Sequence, residues 1–171
     1  MIEELVDHVM VQRNLKNKDE KKKTRKKIYQ PDPKFNDLEV SKFINYLLTQ
    51  GKKGIAEKIF YNSLDIIKDK TKKDPIDIFK KALNNAAPHV EVKSRRIGGA
   101  TYQVPIEVPS NRQFYLSSHW IIDSAKKKSG SPMSNRLASE LIAASNNEGN
   151  AKKKKEDTHR MAEANKACSF W

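Results

Sequence analysis

The sequence lacks the features that most enzymes, metalloproteins and membrane proteins require. It has one cysteine, Cys168, in 171 residues, so no disulfide can form within the chain and no cysteine cluster can bind a metal. It has no apolar run of about 18 residues, which a membrane-spanning helix needs, and no glycine follows Met1 to accept a lipid. Its four histidines are scattered, and no glycine-rich phosphate loop or nucleophile elbow is present. We therefore expect no catalysis, no metal and no cofactor.

Acidic residues are also few relative to basic ones. Lys and Arg number 34 against 21 Asp and Glu, which gives a formal net charge of +13 and an isoelectric point near 9.7. This excess predicts a polyanionic partner, and nucleic acid fits better than a membrane surface. Lysine greatly outnumbers arginine, and residues 1–28 do not resemble a transit peptide. The composition favours an organelle-encoded mitochondrial protein, with bacterial cytoplasm or a plastid as alternatives.

The charge pattern divides the chain into an extension and one folded domain. The pattern predicts that residues 1–30 form a basic, partly flexible N-terminal extension. Within it we expect a short helix at Ile2–Val11 and a flexible arm at Lys16–Lys27. Residues 31–171 contain enough apolar residues for one core. A single domain with a basic extension is the predicted organisation.

Apolar residues recur at helical spacing in six segments of residues 31–171. In order, these segments are 38–48 before Gly51, 55–67, the stretch from Asp74 to Pro88, 110–125, Ser131 to Gly149, and 151–167. Asp74 before Pro75 is typical of a helix N-cap followed by proline at the first helical position. Phe60, Phe79 and Trp120 lie on the apolar stripes and are predicted to be core residues. The fold class is mainly α, a six-helix bundle with a two-stranded β-hairpin protruding between helices 3 and 4.

The hairpin arm is predicted at residues 90–108, because β-branched residues flank the tight turn that Gly98 and Gly99 allow. A two-residue Gly-Gly loop would place Val92 opposite Pro105, and we expect instead a three-residue Gly-Gly-Ala loop with a bulge. That register places Val92 opposite Ile106 and Val90 opposite Val108, so that one face of the hairpin root is apolar. It also places Arg96 beside Tyr102 near the tip, where both could contact RNA.

Five short segments carry a resemblance to a known family. They are Asp32-Pro-Lys-Phe35, Gly51-Lys-Lys-Gly54, Val90 to Arg96, Thr101-Tyr-Gln-Val-Pro105 and Glu156 to Ala167. In this order and spacing, they resemble the small-subunit ribosomal protein seven family from about Pro31 to the C-terminus. Residues 1–30 lie mostly outside the resemblance.

The resemblance implies a structural constituent of the small ribosomal subunit that binds the 3′ major domain of small-subunit ribosomal RNA and nucleates assembly of the head. Its hairpin would lie near the exit-site tRNA and the mRNA path. Its protein neighbours would be head proteins and platform protein eleven, and the chain would be a monomer within the ribosome. The positions that match the family's RNA contacts are Lys34, Lys52, Lys53, Lys93, Arg95 and Arg96.

Other candidate RNA-binding residues follow from their charge or from aromatic rings that can stack on bases. They are Tyr102, Arg112, Lys126, Lys127, Lys152, Lys153, Lys154, Lys155, Arg160, Lys166 and Trp171. We expect recognition of RNA shape rather than a sequence code, since base edges in A-form helices are poorly accessible.

Two other classes of function are weighed against this interpretation. A free nucleic-acid-binding regulator of the helix-turn-helix type would dimerise and present a recognition helix, whereas the basic residues here are dispersed over loops, hairpin and termini. An enzyme could use His159 with Glu156, but these residues lack the spacing of a helical zinc site. The ribosomal interpretation accounts for more of the sequence than either alternative.

Overall fold

The structure, a computed structural model, describes residues 30–97 and 99–166. The helices and the hairpin belong to the unit Pro31–Trp171. Three predictions lie outside the described residues: the helix at Ile2–Val11, the arm at Lys16–Lys27 and the RNA contact of Trp171. The division of the chain at residue 30 stays a prediction.

The described residues form six α-helices and one antiparallel hairpin. In chain order they are α1 (Leu38–Leu47), α2 (Lys53–Thr71), α3 (Pro75–Ala86), β1 (Val90–Ile97), β2 (Ala100–Glu107), α4 (Ser110–Lys127), α5 (Met133–Ser145) and α6 (Asn150–Ala164). The predicted fold class is confirmed, with the hairpin between the third and fourth helices. None of the described helices is long and apolar enough to cross a membrane.

Local sequence explains where several helices begin and end. The Asp74 carboxylate accepts a hydrogen bond from the Ile76 amide at 2.9 Å, and Pro75 occupies the first turn of α3, so the predicted cap is confirmed. Helix α2 extends to Thr71, one turn beyond its last predicted apolar residue, and Lys72 ends it in the left-handed conformation with φ +54°. Lysines in this last turn suit the negative end of the helix dipole.

The core is built around three phenylalanines from three helices. Phe43, Phe60 and Phe79 are fully buried, and their ring centroids lie 5.0–5.5 Å apart in tilted or edge-to-face arrangements. Helix α5 packs against α2, α3 and α4, and its leucines, Leu137 and Leu141, are also fully buried. The core assignments of Phe60 and Phe79 are confirmed, and Trp120 packs against the core while partly buried.

At the start of two helices, the apolar periodicity predicts burial for residues that are in fact exposed. Leu38 and Ile55 belong to the predicted stripes, yet they are 48% and 55% exposed. Each lies in the first turn of its helix. Periodicity identifies the side of a helix that faces the core, but it does not identify how far along the helix its neighbours reach.

The predicted register of the hairpin is wrong. Val92 lies opposite Pro105, Val90 opposite Glu107, and Arg95 rather than Arg96 opposite Tyr102. Ile97 pairs with Ala100, so only positions 98 and 99 separate the two strands, and residue 98 lies outside the described residues. Gly99 has φ +91°, and two-residue turns with positive φ match the twist of the flanking strands.

The register prediction failed because it assumed that only one face of the hairpin root is covered. Val90 and Pro105 lie on one face and line a cleft together with His159 and Ala162 of α6. Val104, on the other face, is buried with 7% exposure. Since both faces carry apolar residues that are shielded from water, the short turn determines the register instead of a single apolar face.

Candidate nucleic-acid interface

The hairpin arm presents three basic side chains to solvent. Lys93 and Arg95 lie on one face and Arg96 on the other, because opposite faces alternate along a strand, and all three are exposed. Tyr102, opposite Arg95, is 43% exposed. Within the described part of the chain, no carboxylate forms an ion pair with these three cations. The arm therefore offers positive charge on both faces.

The root of the arm is held to the bundle by hydrogen bonds. The His89 amide donates to Nε2 of His159 in α6 at 3.1 Å, and the Val108 amide donates to the His89 carbonyl at 3.0 Å. Burial, followed by the nearby charge of Lys155, lowers the pKa of His159 and favours the neutral imidazole that accepts this bond. Helix α6 therefore fixes where the arm leaves the bundle.

Arg112 joins the start of α4 to the arm. Its Nε and Nη2 atoms lie 3.4 and 3.3 Å from Oε2 of Glu91 in β1. Its guanidinium lies over the ring of Tyr115, with Cζ 5.1 Å from the centroid. The predicted RNA contact is thus a side chain already oriented by two protein neighbours.

A second basic surface forms where α4 ends and α6 begins. Lys126 and Lys127 end α4 and are exposed. Nζ of Lys154 in α6 lies 3.9 Å from Oδ2 of Asp123, and Asp123 lies one turn before these two lysines in α4. The structure therefore brings two lysine clusters together that are 25 residues apart in the sequence.

The four lysines of α6 differ in their surroundings because successive helical residues point in different directions. Lys153 is exposed, and Lys152 lies 3.8 Å from Glu156. Lys155 donates to the Asn85 carbonyl at 2.9 Å, and burial lowers the pKa of its ammonium. Lys155 thus contacts the protein, whereas Lys153 is the member most open to a ligand.

A buried carboxylate that sequence reasoning missed supports this surface. Glu140 of α5 is 1% exposed, and its Oε1 accepts from the amides of Asn150 and Ala151 at 3.1 and 3.3 Å. Its Oε2 lies 2.8 Å from Nζ of Lys128, which also donates to Ser139 Oγ. Glu140 therefore joins the start of α6 to the segment after α4. A glutamate on a predicted helix gives no sequence signal for this role.

Lys34 lies in a turn that Asp32 organises. One Asp32 carboxylate oxygen accepts from the amides of Lys34 and Phe35, both at 3.1 Å, and the other accepts from the Tyr61 hydroxyl at 2.7 Å. Burial, and then the hydrogen bond to Asp32, strongly raise the pKa of Tyr61. The Lys34 ammonium lies 4.9 Å from the centroid of the Tyr61 ring. The position of Lys34 is therefore fixed from α2.

Lys52 and Lys53 lie at the start of α2 and are exposed. Lys53 forms an exposed ion pair with Glu57 at 3.6 Å, a type that contributes little to stability. Across residues 30–97 and 99–166, no recorded hydrogen bond or ion pair connects these two lysines to the arm. They form a separate basic position.

The remaining candidates lie along and beyond the second half of α6. Arg160 is exposed, with Asp157 at 3.7 Å. Lys166 follows the helix and lines the cleft beside Val90 and Pro105. These positions place positive charge near the root of the arm.

The geometry gives no support to catalysis by His159 and Glu156. His159 accepts the bond from the His89 amide, and Glu156 is turned to Lys152. Among the residues that the structure describes, no group of three His, Cys, Asp or Glu side chains could hold a metal ion.

Comparison with known proteins gives a consistent result. The family model described as "Ribosomal protein S7p/S5e" matches residues 19–166, so the match begins within the predicted extension. The "Small ribosomal subunit protein uS7" of Thermotoga maritima is 54% identical over 151 residues, covering 88% of this chain and 97% of that protein. The proteins of the same name from Cellvibrio japonicus and Bartonella quintana are 54% and 52% identical over 141 residues, covering 82% of this chain and 90% of each.

Proposed function

Because this chain belongs to the ribosomal protein S7p/S5e family, a family of structural rather than catalytic proteins, we propose that it binds ribosomal RNA as a constituent of the small ribosomal subunit. The RNA target is the 3′ major domain of small-subunit ribosomal RNA, which the sequence resemblance implies. Binding there would help to nucleate assembly of the head.

The observation that carries the proposal is the arm with exposed cations on both faces. Lys93, Arg95 and Arg96 have no recorded carboxylate partner among the described residues, so ligand phosphates would meet no internal competitor for their charge. Several cations that neutralise closely spaced phosphates release counterions, which makes binding strong and dependent on salt. The root holds these cations in a defined direction, since α6 and α4 both contact the arm.

The second basic surface would contact RNA at a different place from the arm. Lys126, Lys127 and Lys153 are exposed there, and the Glu140 carboxylate fixes the two helix ends that carry them. A surface of this kind suits a junction of RNA helices, where phosphates from several strands lie close together. Lys155 contributes by holding α6 in place, as its ammonium is bound to the Asn85 carbonyl.

The protein neighbours follow from the same resemblance. The arm would lie near the exit-site tRNA and the mRNA path, and the bundle would contact other head proteins and platform protein eleven. The chain would act as a monomer within the ribosome. A symmetric dimer of the free protein, seen by sedimentation, would favour a nucleic-acid-binding regulator instead.

The three relatives named above are bacterial, so they do not support the mitochondrial origin that the composition favours. Mitochondrial origin stays a prediction. Locating the gene in an organelle or a chromosome of its source would decide it.

The proposal is tested by binding to isolated RNA. The purified chain is titrated with the 3′ major domain RNA and with an unrelated structured RNA of equal length, across a series of salt concentrations. We expect preference for the 3′ major domain to persist at high salt. Equal affinity for both RNAs, lost together as salt rises, would reduce the interaction to nonspecific attraction between a basic protein and RNA.

The arm is tested with Arg95→Ala and Arg96→Ala variants. Each substitution is expected to weaken RNA binding. The slope of log affinity against log salt concentration should become shallower by about the amount that one phosphate contact contributes. The melting temperature should stay unchanged, since both side chains are exposed. Variants that melt early would show that these arginines stabilise the fold instead.

A further inference from the structure

Three side chains on one face of α4 form a row of neighbouring groups, the α4 row, in which the rings of Tyr115 and His119 are tilted by 48° to each other. Arg112, Tyr115 and His119 are spaced three and four residues apart, so they follow one another along the helix surface. The Arg112 guanidinium carbon lies 5.1 Å from the Tyr115 ring centroid, and the His119 ring centroid lies 4.3 Å from it. Tyr115 is 37% exposed and the Arg112 side chain 46% exposed. The guanidinium therefore ends a row of side chains that begins at an imidazole.

Neighbouring groups hold the α4 row from two sides. Glu91 accepts from one edge of the Arg112 guanidinium, which restricts rotation of its plane. Tyr46 of α1 lies 5.5 Å from Tyr115, edge to face, and 5.1 Å from the His119 ring. Little side-chain entropy is left to lose when a ligand binds to such a fixed group.

The charge state of the α4 row also suits an aromatic ligand. Burial lowers the pKa of His119, and the positive charges of Lys126 and Arg112 act in the same direction against the opposing effect of Asp123. The neutral imidazole is therefore favoured, and the one cation of the α4 row is Arg112, which Glu91 partners. The Arg112 guanidinium lies over the Tyr115 ring and its side chain is about half exposed, so a second planar group can also reach it.

We propose that the outer face of the Arg112 guanidinium, supported by Tyr115 and oriented by Glu91, is a stacking site for an unpaired nucleobase of folded RNA. Unstacked bases in RNA loops and junctions stack on arginine planes and aromatic rings, which is how proteins bind single-stranded positions. Because Glu91 belongs to β1, the site lies at the root of the arm. This inference rests on the proposed RNA-binding function and adds a contact that depends on planarity rather than on charge.

The test separates planarity from charge with an Arg112→Lys variant. Lysine keeps the positive charge but cannot stack, so affinity for the 3′ major domain RNA should fall about tenfold while its salt dependence stays unchanged. Tyr115→Leu, which removes the support beneath the guanidinium, should cause a similar loss. Tyr115→Phe retains the ring and should keep most of the wild-type affinity.

A second readout identifies the base. Acylation of RNA 2′-hydroxyls reports nucleotide mobility, and we expect at least one unpaired nucleotide to be protected by the wild-type protein and by Tyr115→Phe, but not by Arg112→Lys. Melting temperatures of all variants are measured first, and the Tyr115→Phe variant serves as the folded comparison if Tyr115→Leu unfolds.

The outcomes are distinguishable from failure of the proposed function. If the wild-type chain shows no preference for the 3′ major domain, the proposed function fails and the stacking site with it. If the wild-type chain is selective and Arg112→Lys matches it in affinity and in protection, only the stacking site is overturned, and Arg112 acts through its charge.

Discussion

Replacement of Glu140 by alanine gives the sharpest test of how the basic surface at the start of α6 is held. The substitution removes the acceptor for the Asn150 and Ala151 amides and the partner of the Lys128 ammonium. Ala151 is fully buried, so water cannot replace the lost acceptor, whereas the Lys128 side chain is 34% exposed and regains water. The cost should therefore come mainly from α6 rather than from the lysine.

The magnitude follows from these contacts. A hydrogen bond to a charged acceptor contributes about 1.5–3 kcal/mol. With the space left by the missing side chain, we expect the free energy of unfolding to fall by about 3 kcal/mol. For a domain of this size, such a loss lowers the melting temperature by roughly 6–12 °C.

The assay is thermal and urea denaturation followed by circular dichroism, with Glu148→Ala as the matched control. Glu148 is exposed, and its replacement by alanine removes the same charge. This substitution should therefore change the unfolding free energy by less than about 0.5 kcal/mol. Glu140→Gln should fall between the two, since it keeps an acceptor oxygen and loses the ion pair. A Glu140→Ala variant that melts within about 2 °C of Glu148→Ala would refute the reasoning.

Three further predictions concern neighbouring structural features. Gly149→Ala should lower the unfolding free energy by about 2 kcal/mol in urea titration, because residue 149 has φ +93° and ψ 174° and the added Cβ would lie 2.9 Å from Glu140 Oε1; an unchanged midpoint would contradict this. Tyr61→Phe should cost about 1–2 kcal/mol by leaving the buried Asp32 carboxylate without its 2.7 Å hydroxyl donor, and equal stability of the two proteins would remove the role assigned to this bond. The folded-state pKa of His159 is lowered, so its contribution to stability is present above its ordinary value near 6.5 and is lost as pH falls through the folded-state pKa. The stability of His159→Gln should therefore decline less than that of the wild type over this range, and parallel declines would show that other groups cause it.

The helices were largely predictable because their signals are local. The Asp74 cap, the proline after it and the spacing of apolar residues such as Phe60 act within a few residues of one another. The exposed ends at Leu38 and Ile55 mark the limit of this reasoning, since periodicity carries no information about the length of the neighbouring helices.

The hairpin shows where local reasoning fails. Two registers were compatible with Gly98, Gly99 and the alternating apolar residues, and the apolar pattern favoured the wrong one. The apolar pattern could not decide correctly between them, because α6 covers one face of the root and Val104 is buried on the other, so the short turn determined the register. The cover from α6 joins residues about 60 apart in the sequence. No pattern within the arm contains that contact.

The sequence by itself determined the helical class, the position of the arm, the excess of positive charge and the family, because composition, periodicity and short motifs can be read without knowing which segments meet. The tertiary structure alone decided which cations are open to a ligand. Four consecutive lysines at 152–155 look alike in sequence, yet the helix turns Lys155 onto the Asn85 carbonyl and leaves Lys153 exposed. Glu140 gains its role only from partners that the fold brings to it, since hydrogen bonds act over a few ångströms in space and not along the chain.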